Sequence, residues 1–218
     1  MIPRRQLGQG GPRVGAVALG TMNFQGTYGA ADAAESQRVI DACIDMGIDH
    51  IDTSDVYGAG GAEEMLAPVL ARHRGRVTIA SKAGITRNPD HPFDNSPAYL
   101  RAALERSLHR MGVERIDLYY LHRREAARPV EEAMETLMRL RDEGKIGAIG
   151  LSEVAPSTLE RACAVGPVAA VQSEYSLWSR QVELGMVDAC ARHGAALVAF
   201  SPVGRGVFAD VPPDPASF

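Results

Sequence analysis

Short apolar runs alternate along this chain with longer stretches in which apolar residues recur every three or four positions. The short runs are Val17–Gly20, His50–Asp52, Val77–Ser81, Ile116–Leu121, Ile146–Leu151, Val168–Gln172 and Ala196–Phe200, and they read as buried strands. The periodic stretches between them read as helices. Ala33–Met46 carries Val39, Ile40, Cys43 and Ile44, and ends at Gly47. Glu63–Arg72 keeps the pattern despite Pro68. Ser96-Pro97 opens a helix with its cap and first residue, Leu100, Leu104, Leu108 and Met111 form its stripe, and Gly112 stops it. Further helices begin at Pro129, after Pro156, and over Val182–His193. Residues 83–95 form a polar loop. Arg4–Gly8 and Arg13-Val14 flank Gly10-Gly11-Pro12, which suits a small hairpin. A Gly/Pro-rich tail runs to Phe218.

Strand and helix in alternation, with apolar strands, mean a parallel sheet, closed as a barrel or open and doubly wound. Polar, reactive side chains follow nearly every strand, as on the C-terminal face of a barrel. A dinucleotide-binding glycine fingerprint is also missing after the first strand. The expectation is therefore α/β: a (β/α)8 barrel, one domain over 1–218, with the N-terminal hairpin plugging its floor. Only seven barrel strands can be counted, and a closed barrel needs eight and about 250 residues. The chain is expected to lack the region from about strand 8 onward, as a truncated gene, a proteolysed product or the ordered part of something longer. Such an open barrel would leave its first and seventh strands with bare edges and apolar faces toward water, and would bind cofactor poorly or not at all.

Composition narrows the classes. At 45% hydrophobic and 23% charged, the 218 residues can bury one sizeable core. A net charge of -4 without a basic block gives no footprint for nucleic acid. No apolar run approaches the ~20 residues of a membrane span. Arg4-Arg5 is followed by Gly8-Gln9-Gly10-Gly11-Pro12 rather than an apolar export segment. The expected location is cytoplasmic. Cys43, Cys163 and Cys190 are far apart on helical patterns and read as buried free thiols. Only two of the 23 basic residues are lysines, Lys82 and Lys145. Lys145 sits in a plain turn; Lys82 ends an apolar strand.

The chemistry gathers at strand ends. Asp52 falls where one strand stops, and Tyr57 follows in a Gly-flanked loop. A phenol with a pKa of about 10 is a poor acid near neutrality unless something stabilises its anion. Lys82 supplies a compact cation for that purpose, and His122 ends a third strand. Asp52, Tyr57, Lys82 and His122 are the candidate catalytic residues. A buried ion pair alone would account for Asp52 and Lys82 but not for the other two. Other motifs fail. Gly58-Ala59-Gly60-Gly61 has Glu63 where a third fingerprint glycine belongs, and Gly150-Leu151-Ser152-Glu153-Val154 lacks the second glycine of a nucleophile elbow. Asp49, Asp52 and Asp55 need not share a strand face, so no metal is expected.

With those residues in view, the chain resembles the aldo-keto reductase superfamily, in its bacterial and potassium-channel-β-like branch. The resemblance runs from Leu19-Gly20-Thr21-Met22 to Phe200-Ser201-Pro202-Val203-Gly204-Arg205-Gly206. It rests on Asp52-Thr53-Ser54-Asp55-Val56-Tyr57-Gly58, Ser81-Lys82-Ala83-Gly84, Asp117–Arg123, Gly144–Glu153 and Gln172-Ser173-Glu174-Tyr175-Ser176-Leu177 in order.

The resemblance implies NADPH-dependent reduction of an aldehyde or ketone. Tyr57 would be the proton donor, Lys82 held by Asp52 would lower its pKa, and His122 would orient the carbonyl. It implies that Gly20, Thr21, Met22 and Asp52 lie at the nicotinamide ribose. Ser152 and Gln172 would hold the carboxamide, and Tyr175 would stack on the ring. Ser201, Pro202, Val203, Gly204 and Gly206 would wrap the pyrophosphate, with Trp178 at the substrate mouth. Glu153 stands where the family often has Asn. The implied partner is a small carbonyl compound, with no nucleic acid or membrane; the alternative is a regulatory protein that binds nicotinamide without turnover. Oligomeric state and the particular carbonyl are not legible.

Overall fold

The chain enters as an antiparallel hairpin of β1 (Arg4–Gln6) and β2 (Arg13–Gly15). Seven strands then form one parallel sheet whose neighbours follow chain order. They are β3 (Leu19–Gly20), β4 (His50–Asp52), β5 (Thr78–Ala83), β6 (Ile116–Leu121), β7 (Ile146–Ser152), β8 (Ala170–Glu174) and β9 (Ala196–Phe200). Helices α1 (Ala33–Asp45), α2 (Gly61–Arg72), α3 (Pro97–Met111), α4 (Val130–Asp142), α5 (Pro156–Val165) and α6 (Met186–His193) connect them. This computed structural model describes residues 2–27, 29–73, 75–212 and 214, so the last residues of the tail lie outside it. The curled sheet and its helices are those of a (β/α)8 barrel with an N-terminal hairpin. Seven strands of that barrel stand among the described residues.

The period of two along each strand divides the side chains between two cores. Outward residues such as Ile51, Ile79, Tyr119, Leu121, Ile149, Leu151 and Val171 pack against the helices. Inward residues Ala80, Leu118, Tyr120, Ala148 and Ala170 fill the barrel, and the hairpin residues Leu7 and Val14 close that core from below. The expected plug is thus present. Small side chains dominate the inner layer around Tyr120.

Helix ends follow the punctuation in the sequence. Asp32 caps α1 by accepting the Glu35 N–H at 2.7 Å. Ser96 caps α3 by accepting the Tyr99 N–H at 3.3 Å, and Gly112 ends it at φ 64°. Pro68 lies inside α2 as anticipated.

Two expectations need correction. The helix read over Val182–His193 is two pieces: a 3-10 turn at Gln181–Glu183, then α6. Gly185 at φ 113° separates them, a conformation glycine adopts without strain. β9, by contrast, has the bare edge expected of the seventh strand: among the described residues it pairs only with β8, and Ala196–Phe200 stay partly exposed. Of the three free cysteines only Cys190 is buried, while Cys43 and Cys163 are half-buried.

Gly150 faces inward on β7, where a Cβ would overlap the ring of fully buried Tyr120. Gly150→Ala is therefore expected to destabilise by about 1–3 kcal/mol through overpacking. The check is the urea midpoint; an unchanged midpoint would mean that the Tyr120 ring moves aside freely.

Candidate active site

Lys82 points inward from β5 and is fully buried. Its ammonium has three hydrogens and three oxygen partners. It donates to Asp52 Oδ1, to the Thr53 carbonyl at 2.8 Å and to the Tyr57 hydroxyl at 3.4 Å. Burial alone would push the Lys82 pKa down; the Asp52 carboxylate and Tyr57 outweigh it, and the net shift is upward. Lys82 is thereby kept charged. The second Asp52 oxygen accepts from Gln172 Nε2 at 2.8 Å, so one carboxylate ties β4, β5 and β8 together.

Tyr57 is brought in by a turn. It opens a 3-10 turn in which Gly58 (φ 55°), Ala59 (φ 59°) and Gly60 (φ 102°) are left-handed. Its ring stands edge-on to His122, with centroids 5.9 Å apart at 83°. Lys82 Nζ is 5.1 Å from the Tyr57 ring centre. His122 follows β6, and its N–H donates to the Ala83 carbonyl at 2.7 Å. Ser54 Oγ is 3.0 Å from its Nδ1. Burial first, then the Lys82 and Arg123 charges, push the His122 pKa down to about 2. The ring is neutral at any ordinary pH.

These groups open into a cleft of about 1300 Å³ at the C-terminal ends of the strands. Gly20, Met22, Asp52, Tyr57, His122, Ser152, Gln172, Ser201, Pro202, Val203 and Gly206 line it. Five residues named from the sequence do not. Lys82 lies one layer below. Thr21 is buried and bonds Thr53 Oγ1 at 2.9 Å. Gly204 packs against Phe208. Tyr175 turns aside: its hydroxyl donates to Glu183 at 2.8 Å. Trp178 is exposed beside Phe208, also off the cleft lining.

The cleft also has residues that sequence reasoning passed over. Arg123 donates to Ser152 Oγ at 3.0 Å and to the His122 carbonyl at 2.7 Å. Arg205 lines the wall at φ 56°. Glu153, at φ 54°, accepts the Glu174 N–H at 2.8 Å. The available signals were adjacency for Arg123, next to His122, and the flanking glycines for Arg205. Among the described residues no group of three or more His, Cys, Asp or Glu could hold a metal, and no helix is long and apolar enough to cross a membrane.

Comparison with known proteins agrees with this geometry. The aldo/keto reductase family profile matches residues 16–215. A probable aldo-keto reductase 1 of Glycine max is 41% identical over 209 residues, 93% of this chain and 60% of that protein. The aldo-keto reductase yakc of Schizosaccharomyces pombe, named with NADP(+), is 36% identical over 225 residues, 100% of this chain and 66% of that protein. The chain thus spans about two thirds of the length of these relatives or less. Among solved structures, the glycerol dehydrogenase AKR11B4 of Gluconobacter oxydans superimposes with a TM-score of 0.85 at 30% identity, covering 98% of this chain and 68% of its own. The holo form of AKR11C1 from Bacillus halodurans gives 0.88 at 27% identity, covering 99% and 71%. The chain belongs to the aldo/keto reductase family.

Proposed function

We propose that this chain carries the centre of an oxidoreductase that reduces an aldehyde or ketone to an alcohol, with NADPH as hydride donor and Tyr57 as proton donor. The observation that carries this reading is the buried Lys82 ammonium, bonded at once to Asp52 and to the hydroxyl of Tyr57. A fixed cation 3.4 Å from the phenol oxygen stabilises the phenolate that forms when the proton leaves. Asp52 keeps that cation charged and aimed. Neutral His122, at the cleft wall, has one N–H to direct at the carbonyl oxygen.

The residues present fit a nicotinamide dinucleotide. Gly20, where a Cβ would meet nothing within 4 Å, leaves backbone bare to the cleft. Ser152 and Gln172 offer a hydroxyl and an amide on the same wall. Val203 (φ -92°, ψ 12°) followed by Gly204 (φ 58°) is a right-left alternation of the kind that forms an anion concavity, and Arg205 adds charge. When bound, the nicotinamide supplies the hydride that the carbonyl carbon receives. The choice of NADPH over NADH is supported by the S. pombe relative named with NADP(+). The Gluconobacter glycerol dehydrogenase supports alcohol–carbonyl chemistry.

Tyr57→Phe removes only the donor hydroxyl. NADPH binding, followed by fluorescence, is expected to equal that of the unsubstituted protein while carbonyl reduction drops roughly 10²–10⁴-fold. Lys82→Met is expected to lose a similar factor. Wild-type turnover in Tyr57→Phe, with chemistry rate-limiting, would sink the mechanism.

Two buried groups set opposite pH slopes on stability. His122 has a folded pKa of about 2 against 6.5 unfolded, so stability falls as pH drops below 6.5. Asp55 is raised from 3.8 to about 7, chiefly by burial and then by Glu63, so its contribution is full below 3.8 and is lost as pH rises to 7. Each slope is about 1.4 kcal/mol per pH unit, and buried His50, whose pKa is also pushed down by burial, adds a slope of His122's sign. Relative to the unsubstituted chain, the stability profile of His122→Asn is expected to tilt downward as pH rises from 4 to 7, and that of Asp55→Asn upward. Urea titrations at a series of pH values check this; parallel profiles for both variants would refute it.

A further inference from the structure

Ser54 is fully buried, and its one hydroxyl hydrogen has several claimants. Its oxygen lies 3.0 Å from His122 Nδ1, 3.3 Å from Asp55 Oδ1 and 3.4 Å from the Lys82 carbonyl. The Val56 N–H points at the same oxygen from 3.4 Å. A hydroxyl donates once, so whichever acceptor takes that hydrogen decides what Nδ1 must do. We infer that Asp55 and Ser54 form a relay that sets which ring nitrogen of His122 carries its single proton. Both are positioning residues, and the inference rests on the reading of His122 as the group that meets the carbonyl.

Two states follow from proton counting. With Asp55 protonated, its carboxyl donates to Ser54 Oγ, and the Ser54 hydrogen turns to Nδ1. The ring proton is then on Nε2, leaving a donor for a carbonyl oxygen at the cleft. With Asp55 ionised, its carboxylate accepts from Ser54, and Nδ1–H donates to Ser54 Oγ. Nε2 then carries a lone pair, which suits an alcohol hydroxyl. To pass between them, the Asp55 proton moves to Ser54, the Ser54 proton moves to Nδ1, and the Nε2 proton leaves to the cleft. One proton is released and the ring stays neutral.

The surroundings of Asp55 keep both states within reach. From α2, Glu63 repels its charge; from α3, Arg106 and Arg110 attract it and Tyr99 faces it. From β6, Tyr119 lies near, and from β5 the Lys82 carbonyl takes the Asp55 N–H at 3.3 Å. Burial dominates this set and lifts the carboxyl to about 7. The two tautomers would therefore exchange dominance near neutrality, with reduction favoured on the acid side and alcohol oxidation on the alkaline side.

The test is long-range ¹H–¹⁵N correlation NMR on the full chain with labelled histidine, between pH 5 and 9, with His122→Asn to assign the resonances. In the unsubstituted chain, Nε2–H is expected below about pH 7 and Nδ1–H above it. Asp55→Asn, whose amide donates to Ser54 at every pH, should hold Nε2–H throughout. Ser54→Ala should abolish the pH dependence and lower the reduction rate roughly tenfold, the worth of one hydrogen bond. A tautomer that does not change with pH, or one that still switches in Asp55→Asn, overturns the relay. If Ser54→Ala fails to fold, the other two titrations still decide. Full turnover in Tyr57→Phe would instead overturn the reductase reading and leave the tautomer result standing.

Discussion

A bare ammonium in the middle of a barrel is the condition the rest of this structure has to satisfy. Stripping Lys82 of water costs several kcal/mol unless oxygen atoms replace the lost solvent. The replacements come from three places: the end of β4, the backbone just beyond it and the following turn. Removing the Asp52 carboxylate would leave the buried charge without its counter-ion, a loss of about 3–5 kcal/mol in comparable cases. The register that pairs Gly20 with Asp52 and Asp52 with Ala80 brings this set together. Site and sheet are therefore one construction. A slip of one residue would turn Lys82 and Asp52 to the helix side of the sheet.

A second layer braces β5 from outside. Ser81, next to Lys82, points the other way and donates to Glu63 on α2 at 2.6 Å. Glu63 is fully buried and takes Arg110 of α3 at 2.9 Å. Gly60 lets the turn pass close to that arginine; a Cβ there would come within 2.6 Å of the guanidinium carbon. The turn that carries Tyr57 and the strand that carries Lys82 are thus clamped to the same Glu63–Arg110 pair. This buried carboxylate also repels Asp55, so the brace on the strand and the environment of the relay have a common source.

Much of this was legible because period and punctuation agree. Seven apolar runs became seven parallel strands in order, and Ser96, Pro97 and Gly112 bounded α3 as their chemistry requires. Asp52, Lys82, Tyr57 and His122 could be picked out as polar groups at apolar strand ends. Less legible was whatever depends on the conformation of a loop. Glu63 was noted as a missing glycine and a helix start, yet it is a buried brace. Tyr175 follows its strand as a stacking residue would, but its hydroxyl goes to Glu183 and its ring to the helix-side core. The exposure of β9 follows from the strand count rather than from local pattern: an apolar run is buried only if something lies on both sides, and β9 pairs only with β8 among the described residues.

The tyrosines show how the fold selects one phenol. Tyr119 and Tyr120 are consecutive on β6 and fall on opposite faces of the sheet, one among the helices and one in the barrel. Burial pushes both hydroxyls well above the usual phenol range. Tyr99 is raised by burial and by Asp55, and it donates to the Ile85 carbonyl at 2.9 Å. Tyr175 is raised by its bond to Glu183. Each is held as a neutral phenol by desolvation or by a carboxylate, and neither environment favours release of a proton. Tyr57 alone among the described tyrosines has an ammonium against its oxygen, and it also lines the cleft. The left-handed turn after β4 brings the ring back over the strand ends, where the phenol meets the cation from one side and the open cleft from the other.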